Sequence, residues 1–344
     1  MSRILIAGGF GFIGSNFVRS LLQSGNVETC VVDNFGFAAR ESNLSDLADD
    51  IRVERADIAA DFDSILDVFE DFGPEYVVNF AAESHNDRAI KDPSLFAHAN
   101  AIGAQSMVEA SRRTSVARHL HVSTIEVYGE LPPGTGAFNE SSPLNAKTPY
   151  SAAKAAGDIM VRSYMHTYPE LDIMMTHCAN NYGPYQLPEK LIPLAITNLL
   201  SGRKVGLYGD GKQRRDWIHV DDHNQVILDL LQSKRPVIAD DAATNPSGLP
   251  IFDISARCEV TNLEIVTRIC TELGLDPDDW IEFVADRPNH DRRYLIDPKK
   301  TESFLDWSPA IEFEDGLAQT VQWYRDNEPW WREDVSSGAL ITRW

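Results

Sequence analysis

The sequence predicts an α/β protein with a doubly wound parallel sheet and a second, smaller α/β lobe that binds the substrate. Three observations support this fold class: a glycine-rich turn between an apolar segment and a helical pattern, an acidic residue that ends the second apolar segment, and further apolar segments that alternate with helical ones. Alternation of this kind is typical of a parallel sheet whose two faces are covered by helices.

Composition narrows the partners that we expect. The 344 residues carry a net charge of −21, and a surface that neutralises phosphates would have to be basic, so we expect no nucleic-acid partner. No run of about 18 apolar residues and no signal-peptide pattern is present, so we expect a cytoplasmic protein without a membrane partner. The four cysteines lack metal-ligand spacing, and we expect no metal.

The first predicted strand, residues 4–7, passes directly into a glycine turn, and a helical pattern follows over residues 16–22. In such a unit one glycine permits the tight turn, one lets the backbone approach a pyrophosphate, and one lets the helix pack on the strand, with helix N–H groups facing the phosphates. The sequence therefore predicts a dinucleotide site in this turn. Its members are Gly8, Gly11, Phe12, Ile13 and Gly14.

The second predicted strand, residues 29–32, ends in Asp33, which lies 19 residues after Gly14. A carboxylate there accepts hydrogen bonds from an adenosine ribose 2′-hydroxyl and repels a 2′-phosphate, so we expect NAD rather than NADP. A third strand around residues 52–53 and a fourth over residues 76–82 follow. The ends of these two strands complete the predicted cofactor site with Asp57, Ile58 and Ala81.

With these glycines and with Tyr150-x-x-x-Lys154 downstream, the sequence resembles the extended short-chain dehydrogenase/reductases, which have a Rossmann fold. Tyr150 and Lys154 lie one helical turn apart, so both side chains can reach one site. An ammonium near a phenol lowers its pKa from about 10, and the lowered value makes Tyr150 a usable base for a sugar hydroxyl. We expect Thr124 to hydrogen-bond the same substrate oxygen.

A narrower resemblance, to the dTDP-glucose 4,6-dehydratases, extends over nearly the whole chain. It is visible in residues 82–88, 180–193, 208–211, 215–217, 286–294 and 316–331. It implies a dTDP- or UDP-linked sugar as substrate, whose diphosphate needs local guanidinium groups on so acidic a chain. The substrate-site residues that follow are Ser84, His85, Asn86, Ile125, Asn180, Asn181, Glu189, Lys190, Arg215, Arg292 and Tyr294.

Ile125 stands where that family has an aspartate: the family's Thr-Asp-Glu reads Thr124-Ile125-Glu126 here. In the family, a tyrosine and NAD oxidise the sugar at C4, the glutamate removes the C5 proton, and the aspartate protonates the leaving C6 hydroxyl. The resemblance therefore implies catalytic roles for Thr124, Glu126, Tyr150 and Lys154, with no acid at position 125. Help from a general acid is typically worth about 10²- to 10⁴-fold in rate.

The sequence is compatible with three activities. The chain is a dehydratase that supplies the proton through another group or a water, a 4-epimerase or uronic-acid decarboxylase that uses the 4-keto intermediate without elimination, or an inactive binding homologue. His85 and Asn86 are the nearest alternative proton sources, and Asn86 replaces the family's usual valine. We expect the dehydratase, because the substrate segments match that family.

The resemblance also predicts domain boundaries and an assembly. We assign residues 1–184 and 215–233 to the NAD-binding domain, and residues 185–214 and 234–344 to the sugar-nucleotide lobe. Helices near residues 95–112 and 152–168 are similar to those that pair in the family's four-helix interface, so we expect a homodimer.

Overall fold

The computed structural model describes residues 2–132, 134–234 and 248–337. The strands within these residues are, in chain order, β1 (Ser2–Ala7), β2 (Val27–Asp33), β3 (Ile51–Arg55), β4 (Tyr76–Asn79), β5 (Arg118–Thr124), β6 (Ile173–Cys178), β7 (Asn180–Tyr182), β8 (Val205–Tyr208), β9 (Arg214–His219), β10 (Ile251–Ile254), β11 (Cys258–Thr261) and β12 (Ile281–Val284). The helices of the same residues are α1 (Phe12–Ser24), α2 (Phe62–Phe72), α3 (Asn86–Lys91), α4 (Pro93–Ala97), α5 (Gly103–Arg113), α6 (Pro149–Thr167), α7 (Leu191–Leu200), α8 (Val220–Gln232), α9 (Asn262–Glu272), α10 (Pro277–Trp280), α11 (Lys299–Leu305), α12 (Phe313–Asp326) and α13 (Glu328–Ser337).

Seven parallel strands form the main sheet in the order β10-β6-β5-β4-β1-β2-β3. Both faces of β1 are covered, because Ile4 and Ile6 pack with α1 and α8 whereas Leu5 and Ala7 pack with α2 and α5. The strand order reverses beside β1, as it does in doubly wound sheets, and such sheets bind ligands at the carboxyl ends of their strands. The predicted fold class is confirmed.

Local sequence signals explain where α6 begins. Thr148 caps the helix by accepting a hydrogen bond from the Ser151 backbone N–H, the Ser151 hydroxyl accepts one from the Thr148 N–H, and Pro149 occupies the first helical position. Reciprocal capping with proline at this position is a strong helix start. Tyr150 therefore lies in the first turn of α6, and Lys154 follows one turn later.

The smaller lobe has its own core. It contains a three-stranded sheet in the order β11-β9-β7 and a parallel pair of β12 and β8. Helices α7, α9, α12 and α13 enclose an apolar cluster that includes Tyr182, Tyr324 and Trp331. The C-terminal helix α13 is also fixed to the main-sheet domain, because Trp330 Nε1 donates to Asn43 Oδ1 at 2.9 Å.

Three strands depart from the predicted domain boundaries, and one of them is β7, which was assigned to the NAD-binding domain but pairs with β9 in the small sheet. Strand β10 was assigned to the sugar-nucleotide lobe, but it pairs with β6 and forms the seventh strand of the main sheet. Conversely, β9 was assigned to the NAD-binding domain, but it pairs with β7 and β11 in the small sheet, and the chain returns to the main domain with α8. Strand pairing joins segments that are distant in sequence, so boundaries drawn along the chain miss such exchanges.

Candidate active site

A cavity of about 490 Å³ lies at the carboxyl ends of the parallel strands, between the two lobes. The glycine turn and the start of α6 line it from the main domain, while α7, β8 and the segment after β12 line it from the smaller lobe. Most of the residues predicted from the sequence are among those that line it. The predicted residues outside the lining are Asp33, Asp57, Ile58, Ala81, Ile125 and Arg292.

The glycine turn has the shape that a dinucleotide requires. A Cβ on Gly8 would lie 2.6 Å from the Ala81 backbone N, and one on Gly14 would lie 2.2 Å from the Gly8 carbonyl oxygen. The turn therefore packs too closely for any side chain. Gly11 caps α1 without a side-chain hydrogen bond, and the first turn of this helix holds no acidic residue. Its N–H groups are thus available for a phosphate, and NAD fits here.

Asp33 ends β2 and shapes the loop beside the turn. Its carboxylate accepts hydrogen bonds from the Phe10 N–H at 3.0 Å and the Phe35 N–H at 2.9 Å, and burial raises its pKa. Asp57 and Ile58 follow β3, which pairs with β2, and Ala81 follows β4, which is separated from β2 by β1. These four residues thus lie beyond the carboxyl ends of three strands of the main sheet, and none of them lines the cavity.

Tyr150 and Lys154 both line the cavity, but their electrostatics differ from the expectation. Burial raises the pKa of Tyr150 well above its usual value, the nearby Glu126 carboxylate adds to the rise, and a hydrogen bond with Thr124 opposes it. Burial also lowers the pKa of Lys154, whose Nζ donates to the Val122 carbonyl oxygen at 2.9 Å. In this structure Lys154 therefore does not produce the lowered phenol pKa that the sequence argument expected.

Glu126 lies in a short 3-10 turn, Ile125–Tyr128, which follows β5 directly. Thr124 caps this turn by accepting a hydrogen bond from the Glu126 N–H at 3.3 Å. The Glu126 carboxylate points into the cavity, where Asn86 Nδ2 donates to its Oε2 at 3.1 Å. A candidate proton acceptor thus stands beside Thr124 and Tyr150.

Ile125 was predicted to be a substrate-site residue, and the structure corrects this. Its side chain is 1% exposed and packs in the main core with Val122, Val127 and Tyr128. The turn directs successive side chains to opposite sides, so the apolar one enters the core whereas that of Glu126 enters the cavity. Isoleucine in place of the family's aspartate therefore puts no apolar side chain on the cavity wall.

Arg292 is a second correction. Its guanidinium makes a bidentate pair with Asp210, at 2.8 and 3.0 Å, on the surface outside the cavity. Arg287, five residues earlier, lines the cavity instead and donates to Asp87 Oδ1 at 3.3 Å. Asp87 also accepts a hydrogen bond from the Tyr208 hydroxyl at 2.9 Å. Arg287, Asp87 and Tyr208 were not predicted as site residues, although they lie in the motifs that carry the resemblance.

The charge of the cavity differs from that of the chain. Five basic side chains line it against four acidic ones, although the whole chain carries −21. The basic residues are Lys154, Lys190, Lys204, Arg215 and Arg287, and the acidic ones are Asp87, Glu126, Glu189 and Glu282. Arg215 is buried over the Tyr294 ring, 4.5 Å from its centroid. This local balance suits an anionic ligand such as a nucleoside diphosphate.

His85 and Glu189 form a buried pair on the same wall, with 3.8 Å between His85 Nε2 and Glu189 Oε2. Burial lowers the pKa of His85 to about 3, and burial raises the pKa of Glu189. His85 Nδ1 accepts a hydrogen bond from the Arg88 N–H at 3.3 Å. At neutral pH His85 is uncharged. It is therefore a poor source of the proton that the family's aspartate at position 125 would donate.

Within the described ranges, no helix combines the length and the apolar character that a membrane crossing requires. The same residues contain no group of three His, Cys, Asp or Glu side chains that could hold a metal ion.

Comparisons with known proteins agree with this geometry. The family model described as GDP-mannose 4,6 dehydratase matches residues 5–320. The chain is 42% identical over 336 residues to the dTDP-glucose 4,6-dehydratase of Streptomyces niveus, covering 96% of this chain and 94% of that protein. A dTDP-glucose 4,6-dehydratase from Streptomyces venezuelae, crystallised with NAD, has a TM-score of 0.88 at 41% identity and 96% and 99% coverage. The UDP-glucose 4-epimerase of Thermus thermophilus, in complex with NAD, has a TM-score of 0.83 at 27% identity and 94% and 99% coverage.

Proposed function

The chain belongs to the GDP-mannose 4,6-dehydratase family, and from this premise we propose that it is an NAD-dependent dehydratase that converts dTDP-glucose to its 4-keto-6-deoxy product. One observation carries the proposal: Thr124, Glu126, Tyr150 and Lys154 meet in one cavity beside a dinucleotide turn. The identity of 42% to a dTDP-glucose 4,6-dehydratase supports the choice of substrate, whereas the identity to the epimerase of Thermus thermophilus is 27%.

The chain's own residues account for the proton transfers. NAD, bound at the glycine turn, supplies reversible oxidation of a sugar carbon. Tyr150 takes the proton of the C4 hydroxyl, a role that requires the positive charge of bound NAD to lower the raised pKa of the phenol. Thr124 holds the same oxygen. The C4 carbonyl acidifies the C5 hydrogen, which Glu126 removes as a general base.

Loss of water from C6 also needs a proton, and three candidates are poor donors. Ile125 is apolar and lies in the core, His85 is uncharged at neutral pH, and Asn86 has an amide. Glu126 becomes an acid once it holds the C5 proton, and we propose that it gives this proton to the C6 oxygen. The C5–H pair then forms the C5–C6 double bond as the C6–O bond breaks, so one carboxyl group serves both transfers. Return of the hydride that left C4 to C6, and of a proton from water to C5, then gives the 4-keto-6-deoxy product with no net oxidant consumed.

A homodimer is part of the proposal. Four apolar side chains are exposed on the helical run from α4 to α5 and on α6, which pack against each other. They are Leu95, Ile102, Ile159 and Met160. Exposed apolar groups on adjacent helices suit a helical interface between copies. The cytoplasmic location remains a prediction from the sequence.

The function is tested by incubating the purified protein with NAD and with dTDP-glucose, UDP-glucose or GDP-mannose, and by measuring product masses. We expect loss of one water from dTDP-glucose, and we expect Tyr150→Phe to lower kcat by about 10²- to 10⁴-fold because the base is lost. NAD binding by Tyr150→Phe, measured by calorimetry, should be retained. An isomer of unchanged mass, or loss of carbon dioxide from a uronic acid, would instead establish the epimerase or decarboxylase activity.

A further inference from the structure

Asn86 makes a direct contact with the proposed base. Its Nδ2 lies 3.1 Å from Glu126 Oε2 and 3.5 Å from Glu126 Oε1. Within the described part of the chain, Asn86 is the one side chain that hydrogen-bonds this carboxylate. We propose that Asn86 is a positioning residue that holds the Glu126 carboxylate directed into the cavity. The inference rests on the proposed function for its catalytic consequence, but the contact itself does not.

The orientation of the Asn86 amide is fixed from its other end. The Thr148 hydroxyl donates to Asn86 Oδ1 at 3.1 Å, and its oxygen accepts a hydrogen bond from the Ser151 N–H at 3.2 Å. Because the amide oxygen is already occupied, the NH₂ group faces Glu126. The cap of α6, the helix that carries Tyr150 and Lys154, is therefore linked through Asn86 to Glu126.

The backbone of Asn86 is anchored as well. Asn86 is the first residue of α3, and the next residue, Asp87, is bound by Tyr208 and Arg287 of the smaller lobe. The contacts of Asp87 thus fix the backbone beside Asn86, and Thr148 fixes the Asn86 amide. Its hydrogen bond to Glu126 is a strong one, since a hydrogen bond to a charged acceptor is stronger than one to a neutral acceptor.

Several other titratable groups interact electrostatically with the Glu126 carboxylate. They are Tyr150 on α6, Cys178 on β6, Arg215 on β9, and Asp291 and Tyr294 in the segment after β12. Of these, Arg215 is the cation, and its guanidinium donates to the backbone oxygens of Arg214 and Asp291. The direct stabilisation of the carboxylate therefore falls to Asn86, in a chain whose position 125 offers no polar group.

The test is infrared spectroscopy, which needs no turnover. The carboxylate stretching band of Glu126 is identified by its absence in Glu126→Gln, and its frequency is measured in the wild type and in Asn86→Val. We expect the band to shift in Asn86→Val, because the carboxylate loses its hydrogen-bond donor. Asn145→Val makes the same exchange on an exposed loop and should leave the frequency of the band unchanged.

Further variants separate positioning from folding. Thr148→Val should shift the Glu126 band in the same direction, and Thr148→Ser, which keeps the hydroxyl, should restore its frequency. If Asn86→Val does not fold, Asn86→Ser and Thr148→Val carry the test. An unchanged band frequency in the folded variants would overturn the proposal.

Kinetics then measure the catalytic consequence. We expect Asn86→Val to lower kcat about tenfold with little change in KM. A rise in KM alone would show that Asn86 binds the sugar and does not position the base. Absence of dTDP-glucose turnover in the wild type would overturn the proposed function, while the infrared band of Glu126 would still decide the role of Asn86.

Discussion

Ile125 and Glu126 are neighbours in the chain, yet one lies in the core and the other lines the cavity. The residue that departs from the family's motif therefore contributes to packing, and the retained glutamate carries the proposed proton chemistry. An isoleucine in a well-packed core also fixes the turn that directs Glu126 outward, because cores tolerate little change in shape. The effect of position 125 on the reaction is thus indirect in this structure.

The substitution Ile125→Asp tests that location. We expect it to lower the free energy of unfolding by about 2–4 kcal/mol, because it removes a buried apolar group and buries a carboxyl without a partner. The conservative change Ile125→Val should cost only about 0.5–1.5 kcal/mol. Urea denaturation measures both. Unchanged stability together with faster dehydration by Ile125→Asp would show that this side chain reaches the cavity.

Asp33 governs the predicted choice of cofactor. We expect the wild type to bind NAD more tightly than NADP, and Asp33→Asn to weaken NAD binding by about tenfold or more, since hydrogen bonds to a charged group contribute about 1.5–3 kcal/mol. The asparagine can still accept one of the two backbone N–H bonds that Asp33 now accepts. Calorimetry with each cofactor is the measurement. A wild type that binds NADP as tightly as NAD would refute the role of Asp33.

At the scale of elements, a buried ionic cluster joins α6 to β6 and β10. His177 Nε2 lies 3.0 Å from Asp158 Oδ2, and its Nδ1 lies 3.2 Å from Asp253 Oδ1. Burial lowers the pKa of His177, but the hydrogen bonds with the two carboxylates outweigh it and raise the pKa to about 9. The Tyr128 hydroxyl donates to Asp253 at 2.9 Å. A protonated histidine between two carboxylates therefore fixes the position of β10, the edge strand of the main sheet.

This cluster predicts a pH dependence of stability. The pKa of His177 is higher in the folded chain than the value of about 6.5 in an unfolded one, so its contribution is fully present below about pH 6.5 and is lost as the pH rises to about 9. The free energy of unfolding should fall over that window by up to about 1.4 kcal/mol per pH unit.

The variant His177→Asn provides the control. It leaves two carboxylates without their cation, so we expect a loss of about 3–5 kcal/mol at pH 6.5 and a flatter dependence above it. Urea midpoints at pH 6.5, 8 and 9 check both expectations. Equal midpoints for the two proteins at pH 6.5 would show that His177 is uncharged in the fold.

Elements with local signals were predictable from the sequence, and those that depend on distant pairing were not. The glycine turn, the apolar runs of β1 and β2 and the Tyr150 helix each carry a pattern within a few residues. Strand β10 joins the sheet only through its pairing with β6, which chain order does not reveal. Similarly, residues 286–294 have no regular period, so spacing could not tell that Arg287 faces the cavity and Arg292 the surface.

At the scale of the whole molecule, the two lobes meet at one cavity and leave the outer faces of α4, α5 and α6 on the surface. Ile159 is 59% exposed on α6, and Leu95 and Ile102 are exposed on the neighbouring helical run. The helix that carries Tyr150 and Lys154 on its inner side thus presents apolar groups on its outer side. Dimerisation through this face would restrain the helix on which the proposed catalysis depends.

The substitution Ile159→Asp tests the dimer. We expect the wild type to have the mass of a dimer by light scattering at micromolar concentration, and Ile159→Asp to have the mass of a monomer, because a charge in an apolar helical interface is desolvated without a partner. Phe283→Asp is the matched control, since Phe283 is 58% exposed but lies on β12, in the other lobe. This control should remain dimeric. Because Ile159 is exposed, Ile159→Asp should keep the stability of the folded chain, so a change in mass reports on association alone. A monomeric wild type, or a dimeric Ile159→Asp, would show that the face between α5 and α6 is not the interface.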